Sequence, residues 1–366
     1  MISFLYQKIL KPLMFLFPAD HVHEVMVTAG QVLGSNPIGK KITRALFNYE
    51  NTKYLSQEIC GVNFVNPIGL SAGFDYEAKL TQILPDVGFG FMTVGSITWG
   101  SYGGNPRPML GRLPKSKSLL VNKGLKSSGA RSVYEHIKNL SFEIPVGISI
   151  AKTNSVNCAT DELGVKDYLE SAKFWSSKKV GSYFEINISC PNAFGGEPFT
   201  TPEKLKKLMN SLDKVKFSSP VFVKMPIELG WENTKQLLEI CIKHKVDGVV
   251  FGNLAKDRSN PALVKDELAK IGKGNFSGKP TWEKSNEMIR KTYKKYGKKL
   301  VIIGSGGVFS AEDAYTKIKL GASLVQMITG MIYEGPQVVG QINRGLVELL
   351  KKDGYKNISE AIGTSA

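Results

Sequence analysis

The stretch Tyr183-Phe-Glu-Ile-Asn-Ile-Ser-Cys-Pro-Asn192 decides how the rest of the chain is read. Residues 183–188 are mostly aromatic or β-branched, the composition of a strand, and Pro191 ends the run. At its C-terminal end cluster Asn187, Ser189, Cys190 and Asn192. In barrels of alternating strands and helices, that end carries the chemistry. Carboxamides both donate and accept hydrogen bonds, so a pair of them suits a flat ring with alternating N–H and C=O groups, and a thiol can act as general base. The ligand this implies is a cyclic amide that loses a proton. Ten residues alone are equally compatible with a strand-end turn, where Asn and Pro are common and a buried Cys is inert packing.

Seven more apolar runs share this texture. With residues 183–188 they cover 67–72, 90–95, 145–150, 220–223, 248–252, 300–303 and 323–328, mostly separated by helix-length segments. Eight such units over about 290 residues predict a TIM (β/α)8 barrel, enlarged by insertions beyond the usual ~250 residues. A doubly wound open sheet is the alternative. Its dinucleotide-binding version needs a Gly-rich turn after the first strand, and the chain there reads Gly69-Leu-Ser-Ala-Gly-Phe-Asp75.

The 366 residues are 42% hydrophobic and 22% charged, ordinary for a soluble protein with a sizeable core. Against 32 acidic residues stand 48 basic ones, a net +16 that would suit nucleic acid or an anionic membrane. The basic runs at 204–207, 291–299 and 351–352 fall on helix-like segments and read as solvated faces, so nucleic acid is not expected as a partner. Cys60, Cys158, Cys190 and Cys241 show no C-x-x-C spacing, which argues against a disulfide framework or a metal site and for a reducing compartment. Oligomeric state leaves no signal in the sequence.

Residues 1–50 differ from residues 51–366, which hold the barrel. At helical spacing Ile2, Leu5, Tyr6, Ile9, Leu13 and Leu16 share one side, with Ser3, Gln7, Lys8 and Lys11 opposite, the pattern of a helix lying in a membrane interface; Pro12 should kink or divide it. The run is too short and interrupted to span a membrane. Asp20 is a candidate N-cap for a second helix carrying Val22, Val25, Met26, Ala29 and Leu33 and ended by Gly34-Ser-Asn-Pro37.

Late in the chain, Leu300-Val-Ile-Ile-Gly-Ser-Gly-Gly307 and Ser323 to Gly330 read as the last two strands, each running into glycines. Glycines there let backbone N–H groups approach a phosphate, so a phosphorylated cofactor is expected. Lys224, ending the strand Pro220-Val-Phe-Val-Lys224, could stabilise negative charge on a bound electron carrier.

Six ordered motifs resemble the dihydroorotate dehydrogenases, flavin-dependent TIM-barrel enzymes of pyrimidine synthesis. They are Asn66-Pro-Ile-Gly-Leu-Ser-Ala-Gly-Phe-Asp75, Asn187-Ile-Ser-Cys-Pro-Asn192, Val246-Asp-Gly-Val-Val-Phe-Gly-Asn253, Phe276-Ser-Gly-Lys-Pro280, Ile303-Gly-Ser-Gly-Gly-Val308 and Gly321-Ala-Ser-Leu-Val-Gln326. The resemblance implies that Asn122, Asn187, Asn192 and Asn253 hold the pyrimidine ring. Along FMN it places Ala72, Gly73, Ser96, Ser149, Asn187, Lys224, Gly252, Ser277, Gly278, Gly306, Gly307, Ile328, Thr329 and Gly330. Cys190 falls at the base position, taking a proton from C5 of dihydroorotate as hydride leaves C6 for the flavin and orotate forms. The N-terminal segment, with Phe17-Pro-Ala-Asp-His-Val-His-Glu24, is similar to the membrane-associated, quinone-reducing branch, which makes His23 and Arg112 candidates for a quinone tunnel. With no Arg/Ser-rich leader, this implies the cytoplasmic face of a bacterial membrane, bound peripherally.

Several residues depart from that branch. It carries serine at the base position, whereas Cys190 and Ser149 are similar to the soluble branch. Tyr76 follows Asp75 where the quinone branch has a lysine reaching flavin and substrate, the loop Asn122-Lys-Gly-Leu-Lys-Ser-Ser-Gly129 is one residue short, and Leu254 replaces a small hydroxyl residue. Two other readings therefore stay open: a dihydrouridine synthase-like or other dihydropyrimidine oxidoreductase, and a flavin-binding protein that has lost activity.

Overall fold

The computed structural model describes residues 2–194, 197 and 199–366; Met1, the first residue of the expected helical appendage, lies outside them, as do Gly195, Gly196 and Pro198. All eight expected strands are present as β1 Ile68–Leu70, β2 Phe91–Thr98, β3 Val146–Ala151, β4 Tyr183–Asn187, β5 Val221–Lys224, β6 Gly248–Phe251, β7 Val301–Ser305 and β8 Leu324–Met327. They pair in parallel, and Val325 against Ile68 closes the barrel between β8 and β1. Almost every strand residue is buried, because one face meets the lumen and the other the surrounding helices. That two-sided burial makes the strands read as near-continuous apolar runs.

Aromatic side chains pack the lower lumen. Phe91, Tyr183 and Phe222 join Val250, Ile303 and Leu324 in one cluster, with Phe91 and Phe222 each contributing roughly 1.5–3 kcal/mol by burial. Gly147 makes room for this layer, since a Cβ there would lie 2.1 Å from the Tyr183 ring. A short hairpin, Gln57–Ile59 with Val62–Phe64, adds Ile59 and Phe64 and plugs the N-terminal end. The other end stays open. Over it stands an antiparallel sheet of Leu110–Leu113, Ser118–Val121 and Asn275–Phe276, built from insertions in the barrel.

The N-terminal segment departs from expectation in four respects. Its first helix runs through Ile2–Leu5, a π-helical turn at Tyr6–Leu10 and Lys11–Phe15, so Pro12 neither breaks nor ends it. The two sides given by the spacing otherwise hold, with Gln7 and Lys11 of the polar side toward the protein: the Gln7 amide donates to the Tyr333 carbonyl at 3.1 Å, and Lys11 donates to the same carbonyl at 3.1 Å. Tyr6, expected on the apolar side, instead belongs to that inner side, buried with its hydroxyl donating to the Ile332 carbonyl. Leu5, Ile9, Leu13 and Leu16 are exposed. In the second helix, Ala19–Gly34, Asp20 is no cap; it lies in the first turn, buried, accepting the backbone N–H of Met109 at 2.9 Å. A third helix, Pro37–Phe47, follows where only an end was expected, capped by the Asn36 side chain with Pro37 at its first turn.

Candidate active site

Strand alternation puts Tyr183, Glu185 and Asn187 of β4 into the lumen, one above the other. Tyr183 bonds Thr93 across the barrel at 2.7 Å. One layer up, Glu185 accepts from the Ser149 hydroxyl at 2.9 Å and faces the Lys224 ammonium at 3.7 Å. Lys224 also donates to the Ser71 hydroxyl at 3.2 Å. Ser149 meets Ser96 at 2.8 Å, and the Asn187 amide donates to Ser96 at 2.7 Å. The Asn187 carbonyl oxygen accepts from Ser189, whose hydroxyl takes a bond from Asn253 at 2.8 Å. Residues of β2 to β5 and those just past β1 and β6 are thereby tied by one polar chain, which fixes the amide faces at the mouth. Glu185 was missed in the sequence, although its spacing of two from Asn187 is the signal that puts it in the lumen.

Two adjoining cavities open above this chain. Hydroxyls of Ser277, Thr281, Ser305 and Thr329 and the backbone of Gly278, Gly306, Gly307 and Gly330 rim the first, about 490 Å³. Gly306 has a φ of +95°, and a Cβ there would lie 2.3 Å from the Thr281 hydroxyl, so only glycine holds this curve. Such a rim of hydroxyls and tightly turned glycines fits a phosphate group. Ala72, Lys224, Asn253, Ser277 and Ile328 lead from it into the second cavity, about 910 Å³, and Gly252 lines the first beside them. Ala72, Gly73, Ser96 and Asn187 also line that second space, with Cys190, Asn192 and Asn253 on its walls. Lys224 and the carboxamides line a space continuous with the phosphate-type rim, and that set of groups is of the kind a phosphorylated flat-ring cofactor such as FMN would need.

Two expected residues stand apart from these walls. Ser149 is fully buried beneath them and acts on the cavity through Ser96 and, by way of Glu185, Lys224. Asn122 does not line the cavity; its carbonyl oxygen accepts from the Asn105 amide at 3.0 Å. Asn105, unmarked in the sequence reading, also donates to the Asn192 carbonyl and so couples the two loops. The Asn192 side chain is held by the Val121 carbonyl and by Asn275.

Burial pushes the Cys190 thiol up to about 11; the Glu197 carboxylate adds to this, while Lys224 and the backbone N–H groups of Asn192 and Ala193 oppose it. The thiol is therefore protonated at neutral pH. Tyr76 and Leu254 occupy the cavity wall without filling the space.

A third cavity, about 1150 Å³ and mainly apolar, lies between the N-terminal helices and the barrel. His23 and Phe74 line both it and the cavity of Cys190. The His23 ring meets Phe74 edge-on at 4.9 Å and lies nearly parallel to Tyr76 at 6.0 Å. Burial, reinforced by Lys123 and Lys126, holds His23 down to about 3, so it is neutral, and its Nε2 has no partner among the described residues. Arg112 lines this cavity, its guanidinium 4.5 Å over the Phe15 ring and bonded to the Phe17 carbonyl at 2.7 Å.

A parallel eight-stranded barrel with amides, a thiol and a phosphate-type rim at its C-terminal mouth defines a TIM-barrel enzyme. Comparison then gives its kind: the family model described as dihydroorotate dehydrogenase matches residues 54–350. The chain is 35% identical to the dihydroorotate dehydrogenase (quinone) of Trichodesmium erythraeum over 87% of this chain and 85% of that one. To its counterpart in Haloarcula marismortui it is 33% identical, covering 97% and 98%. The crystal structure of ligand-free DHODH from Eimeria tenella superposes with a TM-score of 0.81 at 26% identity, covering 94% and 98%. This chain belongs to the dihydroorotate dehydrogenase family.

Proposed function

We propose that the protein oxidises (S)-dihydroorotate to orotate in pyrimidine synthesis, using FMN and passing the electrons to a membrane quinone. The observation that carries this reading is the convergence of Cys190, Asn187, Asn192 and Asn253 around one cavity continuous with the Gly306–Gly307 rim. Gly278, Gly306, Gly307, Thr329 and Gly330 would hold the FMN phosphate, and Lys224, Ser96 and Asn187 its ring. Bound FMN would supply the acceptor for the hydride from C6. Asn187, Asn192 and Asn253 orient the substrate ring through its amide edges, with Asn122 supporting them through Asn105. Cys190 removes the C5 proton, and the Ser189 and Asn253 bonds keep its loop in register with β6.

Residues 1–50 serve as the quinone and membrane segment, and residues 51–366 as the FMN-binding barrel. Support comes from the apolar cavity shared through His23, with Arg112 at its edge, and from the exposed Phe4, Leu13, Leu16, Phe17, Ile38 and Ile42 on the adjoining helices. That surface suits peripheral attachment, on the cytoplasmic face of a bacterial membrane. No helix of the described residues is long and apolar enough to cross a membrane.

The test is anaerobic titration of the purified yellow protein with dihydroorotate. Bleaching of the flavin, reversed by a quinone in detergent, is expected. A protein that retains flavin and stays yellow with dihydroorotate would overturn the reading.

A further inference from the structure

The carboxamides of Asn187, Asn192 and Asn253 carry no charge, and the residue after Asp75 on the same cavity wall is Tyr76. A substrate carboxylate entering a cavity of carboxamides needs a cation or several N–H donors, because an unpaired buried charge is costly. Lys224, at the floor, is already engaged by Glu185 and Ser71. We propose that Lys123, on the loop that follows the strand Ser118–Val121, is the carboxylate anchor of this cavity. The proposal rests on the dihydroorotate reading and names how that same site takes its anionic substrate.

Three observations support it. Lys123 lines the cavity that also holds Cys190, Asn187, Asn192 and Asn253. Its ammonium lies 4.4 Å from the centroid of the Tyr76 ring, so the aromatic face steadies the cation beside the cavity. Among the described residues no carboxylate lies within ion-pair distance of Lys123, whereas neighbouring Lys126 pairs with Glu24 at 3.6 Å.

Burial pushes Lys123 down to about 7, helped by Lys126; Asp20 and Glu24 oppose this. The groups around it are Asp20, His23 and Glu24 on the helix Ala19–Gly34, Tyr76 and Glu77 on the segment after β1, and Lys126 on its own loop. Of these, Asp20 is bonded to the Met109 backbone, Glu24 to Arg107, and Glu77 to Ser128. An entering carboxylate restores the proton: at pH 8 a group of pKa about 7 is about nine-tenths neutral, so anion binding should take up close to one proton.

Calorimetry on the FMN-loaded protein at pH 8, in buffers of different ionisation enthalpy, reads this directly, with orotate as the anionic probe and uracil as the same ring without a carboxylate. The parent should bind orotate with uptake of about one proton. Lys123→Met should weaken orotate at least thirtyfold, abolish the uptake, and leave uracil affinity and flavin content unchanged. Adding Tyr76→Lys to that variant should restore orotate binding at least tenfold. Orotate binding by Lys123→Met at parental strength, or equal losses of orotate and uracil, would overturn the anchor while leaving the enzyme reading in place. A parent that binds uracil and not orotate would overturn both.

Discussion

A thiol that holds its proton to about pH 11 makes a sharp kinetic prediction for Cys190. The species that can accept the C5 proton is the thiolate, about one part in 10⁴ at pH 7 and about one part in 10² at pH 9. Flavin reduction at saturating dihydroorotate should accordingly rise about tenfold per pH unit between pH 7 and 9, without a plateau in that window. Saturation matters because Lys123 loses its proton over the same range, so the apparent dissociation constant for dihydroorotate should rise above pH 7 while the limiting rate climbs. The two trends separate in anaerobic stopped-flow experiments that follow flavin bleaching at several substrate concentrations. Cys190→Ala should slow the limiting rate by on the order of 10²–10⁴ and flatten its pH dependence, while retaining flavin. A parental limiting rate that is flat from pH 7 to 9, or a Cys190→Ala variant within threefold of the parent, would refute the base assignment.

Three further outcomes are expected. Ala29→Trp, which pushes an indole into the apolar cavity, should cut reoxidation by a long-chain quinone tenfold or more and spare both reduction by dihydroorotate and turnover with a soluble dye; equal loss with both acceptors would exclude this cavity as the quinone path. Replacing exposed Leu16 and Phe17 together by Glu should lower partition onto phospholipid vesicles at least tenfold in co-sedimentation, since each apolar side chain withdrawn from lipid costs about 1.5–3 kcal/mol. Lys317 is fully buried, bonded to Ser285 and Asn286, and pushed by burial from the ordinary 10.5 to about 7. Its folded value lies below its unfolded one, so between those values the unfolded chain binds the extra proton and stability rises with pH. The parent should therefore gain on the order of 2 kcal/mol from pH 7 to 9 relative to Lys317→Met, measured by denaturant unfolding, and parallel pH profiles would contradict the assignment.

The barrel was legible because strands buried on both faces must be apolar throughout, and all eight such runs became strands. The glycine rim and the wall around Cys190 were legible for a related reason: polar or glycine residues ending an apolar run fall at the barrel mouth. Long-range pairing was not legible. Nothing local tells that Glu185 faces Lys224, that Asn122 turns to Asn105, or that Asp20 leaves its capping role for the backbone of Met109. The first helix shows the limit of periodicity, which finds two faces without saying which one meets protein. Tyr6 sorted with the apolar face by spacing, yet its hydroxyl, like Gln7 and Lys11, had partners on the barrel 320 or more positions away. The third helix was missed because Gly34-Ser-Asn-Pro37 reads as a stop, while Asn36-Pro37 is also a start.

His23 and Phe74, with Leu110, Leu119 and Ile332, form a shared wall between the chamber of Cys190 and the more apolar one behind it. With quinone on the proposed path through that apolar chamber, reductant and oxidant on either side of such a partition need not take turns, so neither must vacate before the other enters. Initial-rate patterns that intersect rather than run parallel would be the kinetic trace of that architecture.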